Sequence, residues 1–367
     1  MYHKRQRLQD YRKRIVSVVV VLITFVLFTL YHWMNEVRKT AHIMPQNDKL
    51  SIENLIVKTE VNVRELNKIS EQTGVQGDVI KEMLRYRQGE KILEIQRAYY
   101  VPVEWVSIRT TPLTVCEYVV NEQGEYTKGT DIVDLRNGDI LITKNSRFLG
   151  WRNGHAGLVV DAGKGLVLEA VMLGTNTKLC SVRGWENYPS FQVLRLKEEF
   201  RDSFSIEEVV AFAKQNLIDI PYQLHAGIWS KLSNILGLKH AEIQKGQVRD
   251  MCEGKLTEIS EAALSGTHCA HVIWYAYQQV GIDLDSDGGI FVTPYDIQNS
   301  PYLEVIQSYG YQEKEVFYVI GNCCNIVVVR QEFRQKFLPK CVRWHALFLY
   351  QSQKNICSFE NNISKRH

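Results

Sequence analysis

The chain has 367 residues, 45% hydrophobic and 23% charged, a globular composition with room for one or two cores that excludes general disorder. Its net charge of +3 is unevenly placed: Lys4, Arg5, Arg7, Arg12, Lys13 and Arg14 face only Asp10 in the first fourteen residues, so the rest of the chain is slightly acidic. A nucleic-acid binder would carry Lys and Arg along a folded face, so nucleic acid is set aside as a partner.

Residues 1–14 read as a basic, cytoplasmic N-terminus, and the uncharged run "IVSVVVVLITFVLFTLYHW" at 15–33 reads as a transmembrane anchor. Nineteen helical residues cover about 28 Å, close to the hydrocarbon thickness of a bilayer. The basic flank predicts a single-pass membrane protein with an exported remainder, and Tyr31 and Trp33 fall at the far interface. A cleavable signal peptide is the rival reading, disfavoured because the run exceeds a usual apolar region and no small-x-small site follows.

Residues 34–50, with Pro45, Gln46, Asn47 and Asp48, read as a polar linker. From 51 to 100 the apolar spacing is helical, punctuated by Gly74, Gly77 and Gly89. This small helical region is expected to pack against the next domain or to space it from the membrane.

Past residue 101 the pattern changes to short apolar runs between turns. "DILIT", "HAGLVVD", "GLVLEAV" and "FQVLRL" read as strands, followed by amphipathic helices beginning at Ser205, with Ser205 as N-cap, and at Thr267. Strands first and helices afterwards predict an α+β domain on an antiparallel sheet over 101–310.

The stretch "GTHCAHVIWYAYQQVGIDLDSDGG" carries the chemistry. With Thr267 as N-cap, Cys269 falls in the first helical turn, where free N–H groups and the positive dipole end favour a thiolate. The bland alternative is a small buried cysteine. A metal reading through His268, Cys269 and His271 lacks a fourth ligand and a second cluster. "DLDSDGG" lacks the final Glu of a calcium loop and reads as a turn.

A cysteine nucleophile needs a base and the base an orienting group. His155 opens a strand and Glu169 interrupts the apolar run of the next. A three-residue turn at Ala162–Lys164 would pair Gly157 with Glu169 and set His155 diagonal to Glu169, on the face that the Cys269 helix covers. An even turn would separate them unless a bulge compensates.

"GDILITKNSRFLGWRNGHAGLVVD", "GLVLEAV", "IPYQL" and "GTHCAHVIWYAYQQVGIDLDSDGGIFVTPYDI" resemble, in order and spacing, the YiiX/YebB-like, circularly permuted members of the NlpC-type papain-like superfamily. The resemblance covers about Asp134 to Gly310. It implies a permuted papain-like fold and a cysteine peptidase or amidase in which Cys269 is the nucleophile, His155 the base and Glu169 its orienting partner. It also places Tyr222 near the cleft as a substrate-binding residue and requires no cofactor and no metal; His268, next to the nucleophile, is a second candidate for substrate binding. His268, Ala270 and His271 depart from the residues relatives often carry around the nucleophile, which bears on the subsites. An exported, anchored enzyme of this kind is expected to cleave an amide bond in peptidoglycan stem peptides. The alternatives are lipid acyl transfer or thioester hydrolysis, and a wall-binding module without turnover.

Residues 311–367 form a C-terminal extension with a short β-like run at Ile326–Val329 and an expectation of loose packing. Cys323, Cys324, Cys341 and Cys357 crowd it, while Cys116, Cys180, Cys252 and Cys269 are scattered, which is not the pattern of a disulfide framework or a zinc site.

Overall fold

The computed structural model describes residues 2–37, 41–58, 60–226, 264–289, 291–311, 318–320 and 327–329. The chain divides into two units, residues 1–311 and 312–367.

Helix α1 (Tyr2–Val37) contains a 19-residue stretch, Lys13–Tyr31, of mean hydropathy 2.4, long and apolar enough to cross a membrane. The helix runs past both ends of the expected span. Thr24 and Thr29 turn their hydroxyls back onto Val20 O and Phe25 O, at 2.9 and 2.8 Å, which satisfies both donors within the apolar stretch.

The expected linker is a correction. Ala41 and His42 are buried, the Ile43 N–H donates to Gly310 O at 2.9 Å, and His42 Nδ1 contacts Pro189 O at 2.7 Å. The Asn145 side-chain amide donates to Ala41 O at 2.9 Å. Pro45 to Asp48 gave this stretch its polar reading, while the preceding Ala-His-Ile is compact enough to fit under Tyr309, whose ring lies 4.9 Å from that of His42.

Four helices follow: α2 (Glu53–Ile56), α3 (Val63–Thr73), α4 (Gly77–Arg85) and α5 (Gly89–Tyr99). Asn62 and Glu65 form a reciprocal capping box at the start of α3, satisfying two of its free N–H groups. Ile69, Val79, Ile80, Met83, Ile92 and Ile95 share one core with Val159, Val167, Trp185 and Val193. The helical region therefore covers a face of the sheet.

Two antiparallel sheets follow. β1 (Glu104–Arg109), β2 (Thr114–Val120) and β4 (Ser146–Phe148) form the smaller one. The larger contains β3 (Ile140–Thr143), β5 (His155–Asp161), β6 (Leu166–Glu169), β7 (Lys178–Ser181), β8 (Phe191–Leu196) and β9 (Leu303–Tyr309), in the order β7-β6-β5-β3-β8-β9. Short helix α6 (Arg183–Glu186) connects β7 to β8, and short helix α7 (Glu198–Arg201) follows β8. The second face of the large sheet is covered by α8 (Ile206–Asn216), capped by Ser205 as expected, α9 (Cys269–Gln278) and α10 (Pro294–Gln298). Ile140, Ile142, Ala156, Leu158, Val160 and Leu194 meet Val209, Ala213, Val272, Ile273 and Ala276 there. The architecture is mixed α+β on antiparallel sheets.

In the second unit, β10 (Tyr318–Ile320) pairs antiparallel with β11 (Val327–Val329), where the β-like run was expected. The expected loose packing of the extension, and Cys252, Cys323, Cys324, Cys341 and Cys357, lie outside the described residues. Cys116, Cys180 and Cys269 are free thiols.

Candidate active site

The hairpin of β5 and β6 sets the site, by a different route from the one expected. Asp161 pairs with Leu166, so the loop holds four residues, but the register shifts by one between Val159 and Asp161. This bulge at Val160 absorbs the extra residue. Beyond it Val159 pairs with Val167 and Leu158 with Leu168, which continues to Gly157 opposite Glu169 and His155 diagonal to it.

His155 Nε2 lies 2.8 Å from Glu169 Oε2, with both side chains buried. Trp185 completes the pair: its indole Nε1 donates to Glu169 Oε1 at 2.9 Å, and its ring stacks on the imidazole at 5.2 Å and 11°. Both carboxylate oxygens are thus held, which fixes the ring. Nothing in the sequence singled out Trp185, whose position follows from the short helix α6 and not from a motif.

Two glycines make this possible. Gly154 has φ +76° and approaches Thr143 O so closely that a Cβ would sit 2.6 Å from it. At Gly157 a Cβ would meet Val167 Cγ1 at 2.6 Å and Trp185 Cζ2 at 2.9 Å. Gly157→Ala is therefore expected to destabilise the protein by about 1–3 kcal/mol and to displace the indole. A thermal-unfolding comparison checks this, and an unchanged midpoint would show that the indole does not depend on that gap.

The face shared by His155 and Glu169 corrects a second expectation. Strand parity puts His155 with Gly157 and Val159, on the side of Trp185 and helices α3 to α5, whereas α9 packs on Ala156, Leu158 and Val160. The two groups meet because each opens its element: Cys269 is the first residue of α9 and His155 the first of β5. They meet past the strand end.

The cap of α9 is His268, not Thr267. His268 has extended backbone angles, and its Nδ1 accepts from the His271 N–H at 3.4 Å. Thr267 lies one residue too early because its backbone is committed elsewhere: its N–H donates to Pro221 O at 2.9 Å, and its O accepts from the Gln223 N–H at 2.7 Å. That ladder joins "IPYQL" to the nucleophile segment through a parallel bridge between Tyr222 and Thr267.

Electrostatics favours an ion pair. Burial pushes the Cys269 thiol up, but the imidazoles of His155 and then His268 outweigh it and bring the thiol down to about 6. Burial would likewise strip the proton from His155, yet contact with Cys269 and then Glu169 raises it to about 10. Since Nε2 faces Glu169, Nδ1 is the nitrogen left for the thiol. A thiolate paired with an imidazolium at a helix start is a nucleophile with its general acid in place. Tyr222 is held in its protonated form, raised by burial and then by the Cys269 charge, so its hydroxyl is available as a donor.

His268 keeps an unused group. While Nδ1 accepts the capping bond, Nε2 is buried without a hydrogen-bond partner among the described residues.

Other polar clusters serve local structure. Asp285, Asp287 and Asp296 bring carboxylate oxygens within 4.8 Å of one another, in the stretch read as a turn. Asp296 Oδ2 accepts from the Thr293 N–H and hydroxyl, both at 2.7 Å, and Asp287 Oδ1 from the Gly289 N–H at 2.7 Å. His271 Nδ1 is engaged with Thr267 Oγ1 at 3.0 Å.

No family model, curated protein or solved structure matches the chain, so the reading of the site rests on its own geometry.

Proposed function

We propose that the chain is a membrane-anchored cysteine hydrolase with a permuted papain-like catalytic domain, held outside the cytoplasm by α1 and acting through Cys269, His155 and Glu169. The observation that carries this is the imidazole of His155, with one nitrogen 2.8 Å from a buried carboxylate and the other left for a thiol at a helix start. An isolated buried cysteine would be pushed up by burial. This one is lowered.

In the first step the Cys269 thiolate attacks an amide carbonyl carbon, and the S–C bond forms. The C–N bond then breaks as His155 gives its proton to the departing amine. Water, deprotonated by His155, attacks the thioester; the C–S bond breaks, the acid is released, and the thiolate–imidazolium pair is restored. The N–H groups at the start of α9, the Tyr222 hydroxyl and His268 Nε2 are the donors for the oxyanion. No metal or organic cofactor enters these steps. Peptidoglycan stem peptides are the substrate this topology suits first. Exposed apolar side chains near the site favour a second reading, acyl transfer on lipid.

The test is digestion of purified muropeptides and of acyl esters by the full chain beside its Cys269→Ala variant. Release of a new amine or acid by the first and not the second supports a hydrolase. Equal release by both, or none from either substrate class with Cys269 inert to a thiol probe, leaves the binding module instead. His268→Asn preserves a capping acceptor and loses the Nε2 donor. It is expected to lower kcat by on the order of 10²-fold, and an unchanged kcat would remove His268 from the oxyanion site.

A further inference from the structure

The anchor and the candidate site lie at one end of the sheet. Thr143 pairs with His155 across β3 and β5, and two residues further on the Asn145 amide donates to Ala41 O. The chain coming from α1 therefore enters the domain beside the strand ends that carry His155 and Glu169.

It has little slack. From Tyr31, the end of the apolar stretch, α1 continues to Val37, adding about 9 Å at 1.5 Å per residue. Four more residues reach Ala41, at most about 14 Å further even when fully extended. Ala41 thus lies within about 23 Å of the end of the apolar stretch. A direct contact points the same way, since the ring of Phe28, three residues inside that end, lies 5.5 Å from that of Trp151. Tryptophan favours this depth at a membrane–water interface.

Several large apolar side chains at this end meet solvent. Leu113, Leu149, Leu173, Phe291 and Tyr295 are 41, 42, 47, 43 and 67 % exposed. Leu149 N–H bonds to Leu113 O and lies two residues before Trp151. Leu173 follows Glu169 in the segment that pairs with Tyr222 through Thr175. Phe291 lies 6.0 Å from the His268 ring, and Tyr295 adjoins Pro294, which abuts Gly154. A soluble surface seldom gathers so many large apolar side chains around one site.

We infer that the mouth of the Cys269 site rests on the bilayer surface and takes a membrane-resident amphiphile, whose tail stays among the lipids while its acyl bond reaches the thiolate. This rests on the reading of Cys269 as nucleophile and α1 as anchor. The bond changes are those given above: carbonyl carbon to sulfur, leaving group protonated by His155, then hydrolysis by water.

The full chain is reconstituted into phosphatidylethanolamine–phosphatidylglycerol vesicles and treated with N-ethylmaleimide from water or N-hexadecylmaleimide carried in the bilayer, with Cys180 as internal reference. The Cys269 to Cys180 labelling ratio is expected to be at least tenfold higher with the bilayer reagent. Leu149→Glu combined with Leu173→Glu is expected to slow Cys269 labelling by the bilayer reagent fivefold or more and to leave N-ethylmaleimide labelling unchanged. Ratios within twofold for the two reagents overturn the inference, as does a double variant that slows both reagents alike. Failure of the nucleophile reading looks different, because N-ethylmaleimide would then label Cys269 no faster than Cys180. Vesicles bearing a fluorogenic acyl-ester lipid or a polyprenyl-linked peptide separate the two sources. Turnover of either at least tenfold above its tail-less counterpart supports the inference, and equal turnover opposes it.

Discussion

Replacing His155 by alanine is expected to lower turnover by about 10⁴-fold or more, through two losses that multiply. With the imidazole in place the thiol sits at about 6, so roughly nine-tenths of it is thiolate at neutral pH. Without it, burial pushes the thiol up against the His268 contact alone, and a thiol back near its ordinary range is thiolate to only about a few parts in a hundred at pH 7. Proton delivery to the leaving group is lost as well, a further factor of about 10² to 10⁴. The variant is compared with wild type on whichever substrate is turned over, across pH. Raising the pH should recover part of the first loss and none of the second. A variant that keeps more than a tenth of wild-type activity at pH 7 would remove His155 from the mechanism.

The second large effect is selectivity among the cysteines. Burial and then the Glu169 charge hold Cys180 up at about 11, five units above Cys269, so thiolate populations at pH 7 differ by about 10⁴. A less basic thiolate is a weaker nucleophile, and a Brønsted slope of about 0.4–0.5 returns about two of those orders of magnitude. Alkylation of Cys269 is therefore expected to run about a hundredfold faster than that of Cys180. Its rate should rise through a midpoint near pH 6 and level off, because below that pH the thiol is protonated and above it the imidazolium–thiolate pair is complete. Catalysis should decline again near pH 10, where His155 loses the proton that the leaving group requires. Equal labelling of the two cysteines at pH 7 would contradict the ion pair.

The residues that form the candidate site were legible because their signals are local. A cysteine at the start of an apolar helical run, a histidine at the start of a strand and a carboxylate inside the next strand each stand out against their neighbours. What the sequence could not show was the geometry between them. A four-residue loop with a bulge and a three-residue loop without one lead to the same pairing of Leu158 with Leu168, and the letters do not distinguish them. The side of the sheet was misread for a related reason. Periodicity says that His155 and Glu169 share a face but not which helix lies on it, and nothing in residues 51–100 shows which face of the next domain α3 to α5 cover. Strands β1, β2, β4, β7 and β9 are not evident in the sequence because they carry no clean run or alternation of apolar residues, as in "EWVSIR" and "KLCS". Likewise the buried Ala41 and His42 were masked by the polar residues after them.

The order of the three groups along the chain also sets when they come together. His155 and Glu169 are fourteen residues apart and belong to one hairpin, so they can associate as soon as that hairpin leaves the ribosome. The thiol is made a hundred residues after Glu169, and the last strand of the large sheet ends later still, at Tyr309. At about 5–20 residues per second, that gap is on the order of 5–20 s of synthesis. During that interval the nascent chain carries His155 and Glu169 without Cys269. The thiol thus arrives late in synthesis, after the apolar helix α1 and the helical cover of the sheet have been made.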